Sequence, residues 1–237
     1  MAKQSKRYTS AQSTIDIEKL YNIEEAVGLV KSNATAKFDE TVELHVKTNA
    51  DTRHAEQLVR GVVLLPHGLG KIVRVLVFAQ ADGAISAKDA GADFVGADDL
   101  IENIEKGWLD FDTVISTPEM MGKVGKLGRI LGRKGLMPNP RTGTVVQSQD
   151  LGRAVDEAKK GKVEVKMDRT AVIHVAFGKA SFEESMLVDN LNTVMDMISR
   201  SRPAAVKGQF LKSAYLTSTM GPSIALDVSD LSLVKME

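Results

Sequence analysis

The alternation of hydrophobic and polar residues changes its period along this chain. Residues 41–47 alternate strictly between polar and apolar side chains, and so do residues 163–167. Period-two alternation predicts strands that bury one face and expose the other. Residues 23–31 and 182–199 instead carry apolar side chains at helical spacing. Further strands are predicted over residues 171–177, 209–219 and 224–228. Both ends of the chain therefore indicate an antiparallel α+β layer.

The middle of the chain has a different pattern, in which short apolar strands alternate with helices. Residues 71–79 are rich in Val and Leu, which is typical of a strand buried on both faces. Strands are predicted over residues 71–79, 93–96, 113–117 and 143–146, and helices over 83–90, 97–107, 150–160 and a glycine-rich stretch after Pro118. This alternation predicts a Rossmann-like α/β layer with a mostly parallel sheet.

Two short glycine- and lysine-containing segments separate these patterns, at residues 66–71 and 159–162. We therefore expect a discontinuous α+β domain with an antiparallel sheet, formed by residues 1–67 and 160–237. A Rossmann-like α/β domain, residues 68–159, is inserted into it. Two adjacent chain crossings permit rigid-body hinging. The expected hinge residues are Gly68, Gly70 and Gly161.

Composition narrows the possible functions of the 237-residue chain. There is no cysteine, which excludes disulfides, cysteine-ligated zinc and thiol catalysis. The longest apolar runs fall far short of the roughly 20 residues that a membrane-spanning helix needs. The first residues carry no apolar stretch typical of a signal peptide. A reduced, cytoplasmic compartment is expected, with no membrane partner.

Enzyme motifs are missing from the sequence. None of the Gly-Lys pairs is followed by Ser or Thr, so there is no Walker-type phosphate loop, and no dinucleotide fingerprint follows residues 71–79. The four histidines have no metal-ligand spacing. We expect no catalytic residue, no metal and no cofactor. An enzyme that holds a nucleotide on the parallel sheet stays open as an alternative.

Charge is unevenly distributed although 31 basic residues balance 31 acidic ones. Residues 82–112 contain nine acidic residues, whereas residues 122–141 contain five glycines, six basic residues and no acid. Glycines allow backbone N–H groups to approach phosphates that the cations neutralise. The six cations are Lys123, Lys126, Arg129, Arg133, Lys134 and Arg141. The alternative is a solvated basic helix whose glycines pack against the sheet.

A second polar surface is predicted from the outer parts of the chain. Residues 37–41 precede a strand, and residues 217–222, with three hydroxyls, a Met and a Gly, end another. Such groups suit ribose hydroxyls and sugar edges in the RNA minor groove. An ordinary strand end and turn is the alternative. Only 5% of the residues are aromatic, which argues against the stacking platform of a single-strand binder.

Five motifs together resemble the bacterial L-one family of large-subunit ribosomal proteins. They cover nearly the whole chain in the family's order: KFDETVE at 37–43, LPHGLGK at 65–71, LGRILGRKGLMPNP at 127–140, GKASF at 178–182 and TMGP at 219–222. The resemblance implies a non-enzymatic protein that binds a ribosomal RNA stalk beside the E site and helps deacylated tRNA to move and leave. It also implies repression of its own operon mRNA. A general RNA chaperone without a defined target remains an alternative.

The resemblance moves the expected principal RNA site from the basic middle segment to the discontinuous domain. The RNA-binding residues that it implies there are Lys37, Phe38, Thr41, Thr219, Met220 and Gly221. Lys166, Ser213 and Thr217 lie on predicted strands that we expect to line the same face. The six cations are then expected in secondary contact with RNA or tRNA. The expected partners are large-subunit ribosomal RNA, E-site tRNA, the operon mRNA and the ribosome.

Overall fold

A computed structural model describes residues 5–229, which form two compact units. Unit 1 contains the chain up to Gly70 and again from Val163 onward, and unit 2 is Lys71–Lys162. Both crossings lie three residues later than the sequence pattern predicts, which was after residues 67 and 159.

Helices and strands are numbered in chain order. The helices are α1 Lys6–Gln12, α2 Ile23–Asn33, α3 Ala81–Asp89, α4 Asp98–Glu105, α5 Met121–Val124, α6 Gly128–Lys134, α7 Leu151–Lys159 and α8 Glu184–Arg200. The strands are β1 Thr41–Thr48, β2 Arg60–Leu64, β3 Val75–Phe78, β4 Phe94–Gly96, β5 Thr113–Ser116, β6 Lys162–Lys166, β7 Val172–Lys179, β8 Leu211–Ser218 and β9 Ile224–Leu226.

Unit 1 is built on a four-stranded antiparallel sheet in the order β7-β1-β8-β9. The alternation in β1 turns Val42, Leu44 and Val46 inward, and all three are fully buried. Helices α2 and α8 cover that inner face. Full burial of each Val or Leu contributes about 1.5–3 kcal/mol relative to exposure. The opposite face of the sheet is left to solvent, and β2 and β6 form a separate two-stranded sheet.

Unit 2 contains a three-stranded parallel sheet in the order β4-β3-β5. All four residues of β3 are buried, as its unbroken apolar run predicts. Leu76 and Phe78 face a cluster with α4, while Val75 and Val77 face a cluster with α3 and α7. The sheet is therefore covered on both faces, which confirms the α/β class.

One predicted strand of unit 2 is wrong. Residues 143–146 form only a single parallel bridge, between Val145 and Ser116 of β5. Gly143 has a left-handed φ of 59° and closes the short 3₁₀ turn Pro140–Thr142, so the extended chain begins too late to form a longer ladder. No helix in the part of the chain that the structure describes combines the length and apolarity needed to cross a bilayer.

Candidate nucleic-acid interface

Two segments that are far apart in sequence meet at one end of the unit 1 sheet. The backbone N–H of Thr41, at the start of β1, donates to Thr219 Oγ1 at 2.9 Å. In return, the Thr219 N–H donates to the Thr41 carbonyl at 3.0 Å. The turn after β8 is therefore fastened to the beginning of β1, and the predicted residues around Thr41 and Thr219 lie side by side.

A buried carboxylate holds both segments in place. Glu40 is 1% exposed and accepts hydrogen bonds from the N–H of Ala36 (2.9 Å), the hydroxyl of Ser218 (2.8 Å) and the N–H of Met220 (2.9 Å). Burial alone would raise the pKa of Glu40, but these three donors and the charge of Arg7 outweigh it, so the pKa lies below its ordinary value. Glu40 stays ionised and links the two loops.

Glu40 was not among the predicted site residues, although the sequence contains a signal for it. Val42, Leu44 and Val46 point inward, and Glu40 has the same phase two residues earlier. An acid at an inward position is unusual, because a buried carboxylate needs donors to satisfy it. The period-two pattern, extended by one step, marks Glu40 as a residue with buried partners.

The family-like GKASF motif packs against the same corner. Lys179, at the end of β7, donates to Thr41 Oγ1 at 2.9 Å. The carboxylate of Asp39 accepts from the Ser181 hydroxyl at 2.8 Å and from the Ser181 N–H at 3.1 Å. Motifs from three parts of the sequence therefore form one hydrogen-bonded corner.

Gly221 is required by close packing in the turn. A Cβ atom at Gly221 would lie 2.4 Å from Ser218 Oγ, the hydroxyl that donates to Glu40. No real Cβ contact is that short, so a side chain here would push Ser218 away from the carboxylate. The glycine in the TMGP motif thus protects the link between the two loops.

Two large apolar side chains are exposed beside this linked corner. Phe38 is 55% exposed and Met220 is 50% exposed, and Lys37 beside Phe38 is also exposed. Both belong to loops that Glu40 fixes. Exposed apolar groups held on a rigid frame are typical of a contact surface.

The solvent face of the sheet continues from this corner along β8. Ser213, Tyr215 and Thr217 point outward, opposite Lys47, His45 and Glu43 of β1, in that order. Ser213 and Thr217 therefore share a face with Thr41, as expected. Lys166 is an exposed residue of β6, which belongs to the separate two-stranded sheet, and the next residue, Met167, bridges to Ile173 of β7. We use the term RNA face for the residues of this surface that were predicted to bind RNA: Lys37, Phe38, Thr41, Ser213, Thr217, Thr219, Met220 and Gly221.

Two histidines occupy the centre of the same sheet face. His45 of β1 and His174 of β7 are directly opposite, with their Nδ1 atoms 2.8 Å apart, so one ring donates and the other accepts. Burial lowers the pKa of His45, the charge of His174 lowers it further, and Glu43 opposes the shift. Among residues 5–229, no group of three or more His, Asp or Glu side chains is placed to hold a metal ion.

The basic segment of unit 2, residues 122–141, contains no acidic residue, yet in the folded protein one of its cations has an acidic partner. Lys123 is paired with Asp98 of α4, with Nζ at 2.8 Å from both carboxylate oxygens. The other five cations are exposed and have no ion pair with any residue from 5 to 229. They are Lys126, Arg129, Arg133, Lys134 and Arg141.

The glycines of this segment do not pack against the sheet. In the described part of the chain, a Cβ atom added at any of five glycines would have no neighbour within 4 Å, apart from the glycine's chain neighbours and its own helix backbone. The five are Gly122, Gly125, Gly128, Gly132 and Gly135. The alternative of glycines buried for helix–sheet packing is therefore wrong. What remains is an open, cationic backbone surface of the kind that phosphates can approach.

Comparison with known proteins identifies the family. A sequence profile described as the Ribosomal protein L1p/L10e family matches residues 30–222. The chain belongs to this family. Proteins named "Large ribosomal subunit protein uL1" from three strains of Dehalococcoides mccartyi are 53%, 53% and 52% identical to it over 232 residues, covering 98% of both chains.

Membership in the L1p/L10e family decides between a ribosomal protein and a nucleotide-binding enzyme. Proteins of this family are structural constituents of ribosomes and not enzymes. The nucleotide-binding enzyme is therefore excluded as an alternative. The family's ribosomal character also agrees with a cytoplasmic site of action.

The expected hinge glycines have unusual backbone geometry in this L1p/L10e chain. Gly68 and Gly70 both have φ of 66°, and Gly161 has φ of 100°, values that side chains disfavour. Within unit 1, the fully buried Asn190 of α8 donates to the Gly68 carbonyl at 3.0 Å and accepts from the His67 N–H at 3.1 Å. Asn190 thus anchors the first crossing. Sequence patterning missed it because it lies on the apolar face of a helix.

Proposed function

We propose that this chain is a structural component of the large ribosomal subunit that binds the ribosomal RNA stalk near the E site through its RNA face. Support comes from the family, from the relatives' name and from the hydrogen bonds that Glu40 accepts from Ala36, Ser218 and Met220, which we call the frame. The frame is the observation that carries the proposal: a buried carboxylate links the loops of Lys37 and Phe38 to the turn of Thr219–Gly221. Preorganised loops lose little entropy on binding, which favours recognition of one RNA contour.

The chemistry of the RNA face suits a folded RNA. Hydroxyls of Ser213, Thr217 and Thr219 can exchange hydrogen bonds with ribose 2′-OH groups in the wide minor groove. Lys37 supplies positive charge to the phosphates, and Phe38 and Met220 give apolar contact to sugar edges. Few charges and several short polar groups indicate recognition of shape rather than of charge alone.

Unit 2 has a secondary role in this proposal. Five of its cations have no ion pair among residues 5–229 and provide a salt-dependent contact with RNA or with deacylated tRNA: Lys126, Arg129, Arg133, Lys134 and Arg141. Hinging at the two crossings, which contain Gly68, Gly70 and Gly161, would let unit 2 change its orientation as the tRNA moves out of the E site. Movement and release of tRNA therefore belong to the middle unit, and RNA anchoring belongs to the RNA face.

Repression of the chain's own operon follows from the same surface. A face that reads RNA shape accepts any RNA that presents the same contour, so a messenger RNA that folds like the stalk competes for it. Regulation then needs no additional site. Free protein, in excess over ribosomal RNA, would occupy the messenger and block its translation in the cytoplasm.

A competition titration tests this function. Full-length protein is bound to a labelled stalk ribosomal RNA fragment at physiological salt, and unlabelled stalk RNA, tRNA or an unrelated duplex is added. Stalk RNA should displace the label at the lowest concentration. Equal displacement by all three RNAs would favour a general RNA chaperone and contradict the proposal.

A further inference from the structure

Two of the three tyrosines of the chain line one cavity beside the RNA face. The cavity has a volume of about 140 Å³, and its walls include Tyr8 and Gln12 of α1, Tyr215 of β8, and Pro222 and Ser223. A low overall aromatic content argued against a stacking platform, but composition does not show how these rings converge. The cavity is several times the roughly 30 Å³ that one water occupies and below the range of drug-sized sites. Its size suits one small flat group.

The wall formed by α1 is anchored to the sheet. Tyr21 forms a bridge with Leu226 of the edge strand β9, and its hydroxyl accepts from the Asp16 N–H at 2.9 Å. Ile15, just after α1, is 8% exposed and belongs to the core of unit 1. The segment from α1 to Tyr21 therefore lies along β9, which fixes the cavity next to Tyr215.

Four polar groups that line the cavity are unused by the described part of the chain, whereas the carboxylate of Asp16, which also lines it, accepts from the Glu18 N–H at 3.0 Å. The hydroxyls of Tyr8, Tyr215 and Ser223 and the amide of Gln12 have no hydrogen-bond partner among residues 5–229, and Tyr8 and Tyr215 do not stack on each other in that part of the chain. Helix α1 buries no residue, so the Tyr8 ring is not needed for the core. Aromatic faces with free polar groups around them are suited to a heterocycle that stacks and forms hydrogen bonds.

The position of the cavity connects it with bound RNA. Pro222 and Ser223 directly follow the Thr219–Gly221 turn, and Tyr215 lies between Ser213 and Thr217 on the outward face of β8. Lys6 and Arg7 of α1 are exposed, and the charge of Arg7 reaches Glu40. RNA on the RNA face would therefore lie next to the cavity, with the cations Lys6 and Arg7 adjoining Tyr8 in sequence and the acid Asp16 in the cavity lining.

We propose that this cavity takes up one unpaired nucleobase of the RNA bound at the RNA face, stacked against Tyr8 and Tyr215. The inference rests on the proposed function and adds a base-specific element to it. Sequence-specific proteins commonly read unstacked bases on aromatic side chains, whereas minor-groove contacts read mainly shape. The free hydroxyls and the Gln12 amide would then distinguish one base from another.

Alanine and phenylalanine substitutions test the stacking. The dissociation constant for the stalk RNA fragment is measured by fluorescence anisotropy for Tyr8→Ala, Tyr215→Ala and Tyr215→Phe. Each alanine variant should bind about 5- to 150-fold more weakly, as expected for losing one base–aromatic stack, while Tyr215→Phe keeps most of the affinity. Leu58→Ala, which removes an exposed apolar side chain of unit 1 outside the cavity, is the matched control and should bind as the wild type does.

A fluorescent base locates the nucleotide. 2-Aminopurine is placed in turn at each unpaired position of the stalk RNA fragment, and its emission is compared with wild-type protein and with Tyr215→Ala. One position should change on binding to the wild type and not to the variant. If the wild type binds but both alanine variants stay within twofold of it and no position depends on Tyr215, the cavity proposal is wrong and the RNA face stands. If the wild type does not select stalk RNA, both proposals fail.

Discussion

The RNA face of unit 1 and the basic segment of unit 2 differ in the chemical groups that they would present to RNA. In unit 1 a buried carboxylate, Glu40, fixes two loops through hydrogen bonds, and the exposed groups are mostly hydroxyls and apolar side chains. In unit 2 five cations have no ion pair with any residue from 5 to 229, and a Cβ atom added at a glycine of their surface would have no neighbour within 4 Å beyond its own helix and chain neighbours in that part of the chain. Under the proposed function, the first region would supply selectivity for shape and the second would supply attraction that salt can screen.

Removing the carboxylate should give the largest effect. Glu40→Ala leaves the N–H groups of Ala36 and Met220 and the Ser218 hydroxyl without their acceptor. We expect a loss of about 2–3 kcal/mol in the free energy of unfolding, and a drop in affinity for stalk RNA of at least tenfold beyond the loss of folded protein. Urea denaturation and anisotropy titration measure the two effects. Glu24→Ala, at an exposed position of α2, should change the unfolding free energy by less than about 0.5 kcal/mol. Wild-type RNA affinity in Glu40→Ala would show that the frame is not needed.

Two glycines, one in each region, give the next comparison. Gly221→Ala forces a Cβ atom against Ser218 Oγ, so we expect RNA affinity to fall by about tenfold, equal to about 1.4 kcal/mol. Gly132→Ala adds a methyl group to an open surface of α6 and should stabilise that helix by up to about 1 kcal/mol. Calorimetry and RNA titration of both variants separate the two outcomes. Unchanged binding by Gly221→Ala would contradict the role given to the turn.

Salt dependence distinguishes free from paired cations. Replacing Lys126, Arg129, Arg133, Lys134 and Arg141 with Gln should flatten the log–log slope of RNA affinity against salt by about 3.5–4.5 if all five touch phosphates. Lys123→Gln, which removes a cation already paired with Asp98, should leave the slope nearly unchanged. An unaltered slope in the fivefold variant would return the basic segment to an ordinary solvated surface.

The smallest predicted effect is a pH dependence of stability. The pKa of Glu40 is lowered in the folded state, so its contribution is present above the unfolded pKa of about 4.3 and is lost as the pH falls through the folded pKa. The difference in unfolding free energy between wild type and Glu40→Gln should therefore shrink from pH 7 to pH 3. Denaturation at both pH values measures it, and a constant difference would argue against an ionised Glu40.

Local patterns in the sequence were sufficient for most of the fold. Alternation at period two identified β1 and its neighbours, because one face of that sheet is buried and the other is wet. The strand over 143–146 was wrong because a turn ending at Gly143 decides how far the chain can pair. Hydrophobic patterns in the sequence predict the burial of a strand well, but they predict its pairing and its length poorly.

The candidate site was predictable only in part, because its decisive contacts are long-range. The resemblance to the family named Thr41 and Thr219, and the inward phase of Glu40 marks it as buried, but no local signal indicates which segments it links. The pairing of Lys123 with Asp98 joins two elements that a charge count along the chain treats as separate. The meeting of Tyr8 and Tyr215 at one cavity likewise requires the folded sheet and its anchored N-terminal segment.

The central claim is that a hydrogen-bonded frame presents a surface selective for one RNA shape. Its most direct test is the ratio of dissociation constants for tRNA and stalk ribosomal RNA, measured at physiological salt for the full-length wild type and for the double variant Thr219→Ala, Gly221→Ala. We predict that the wild type prefers stalk RNA by at least about tenfold, and that the double variant loses this preference while its binding to tRNA through unit 2 is kept. An equal ratio for the two proteins would contradict the account.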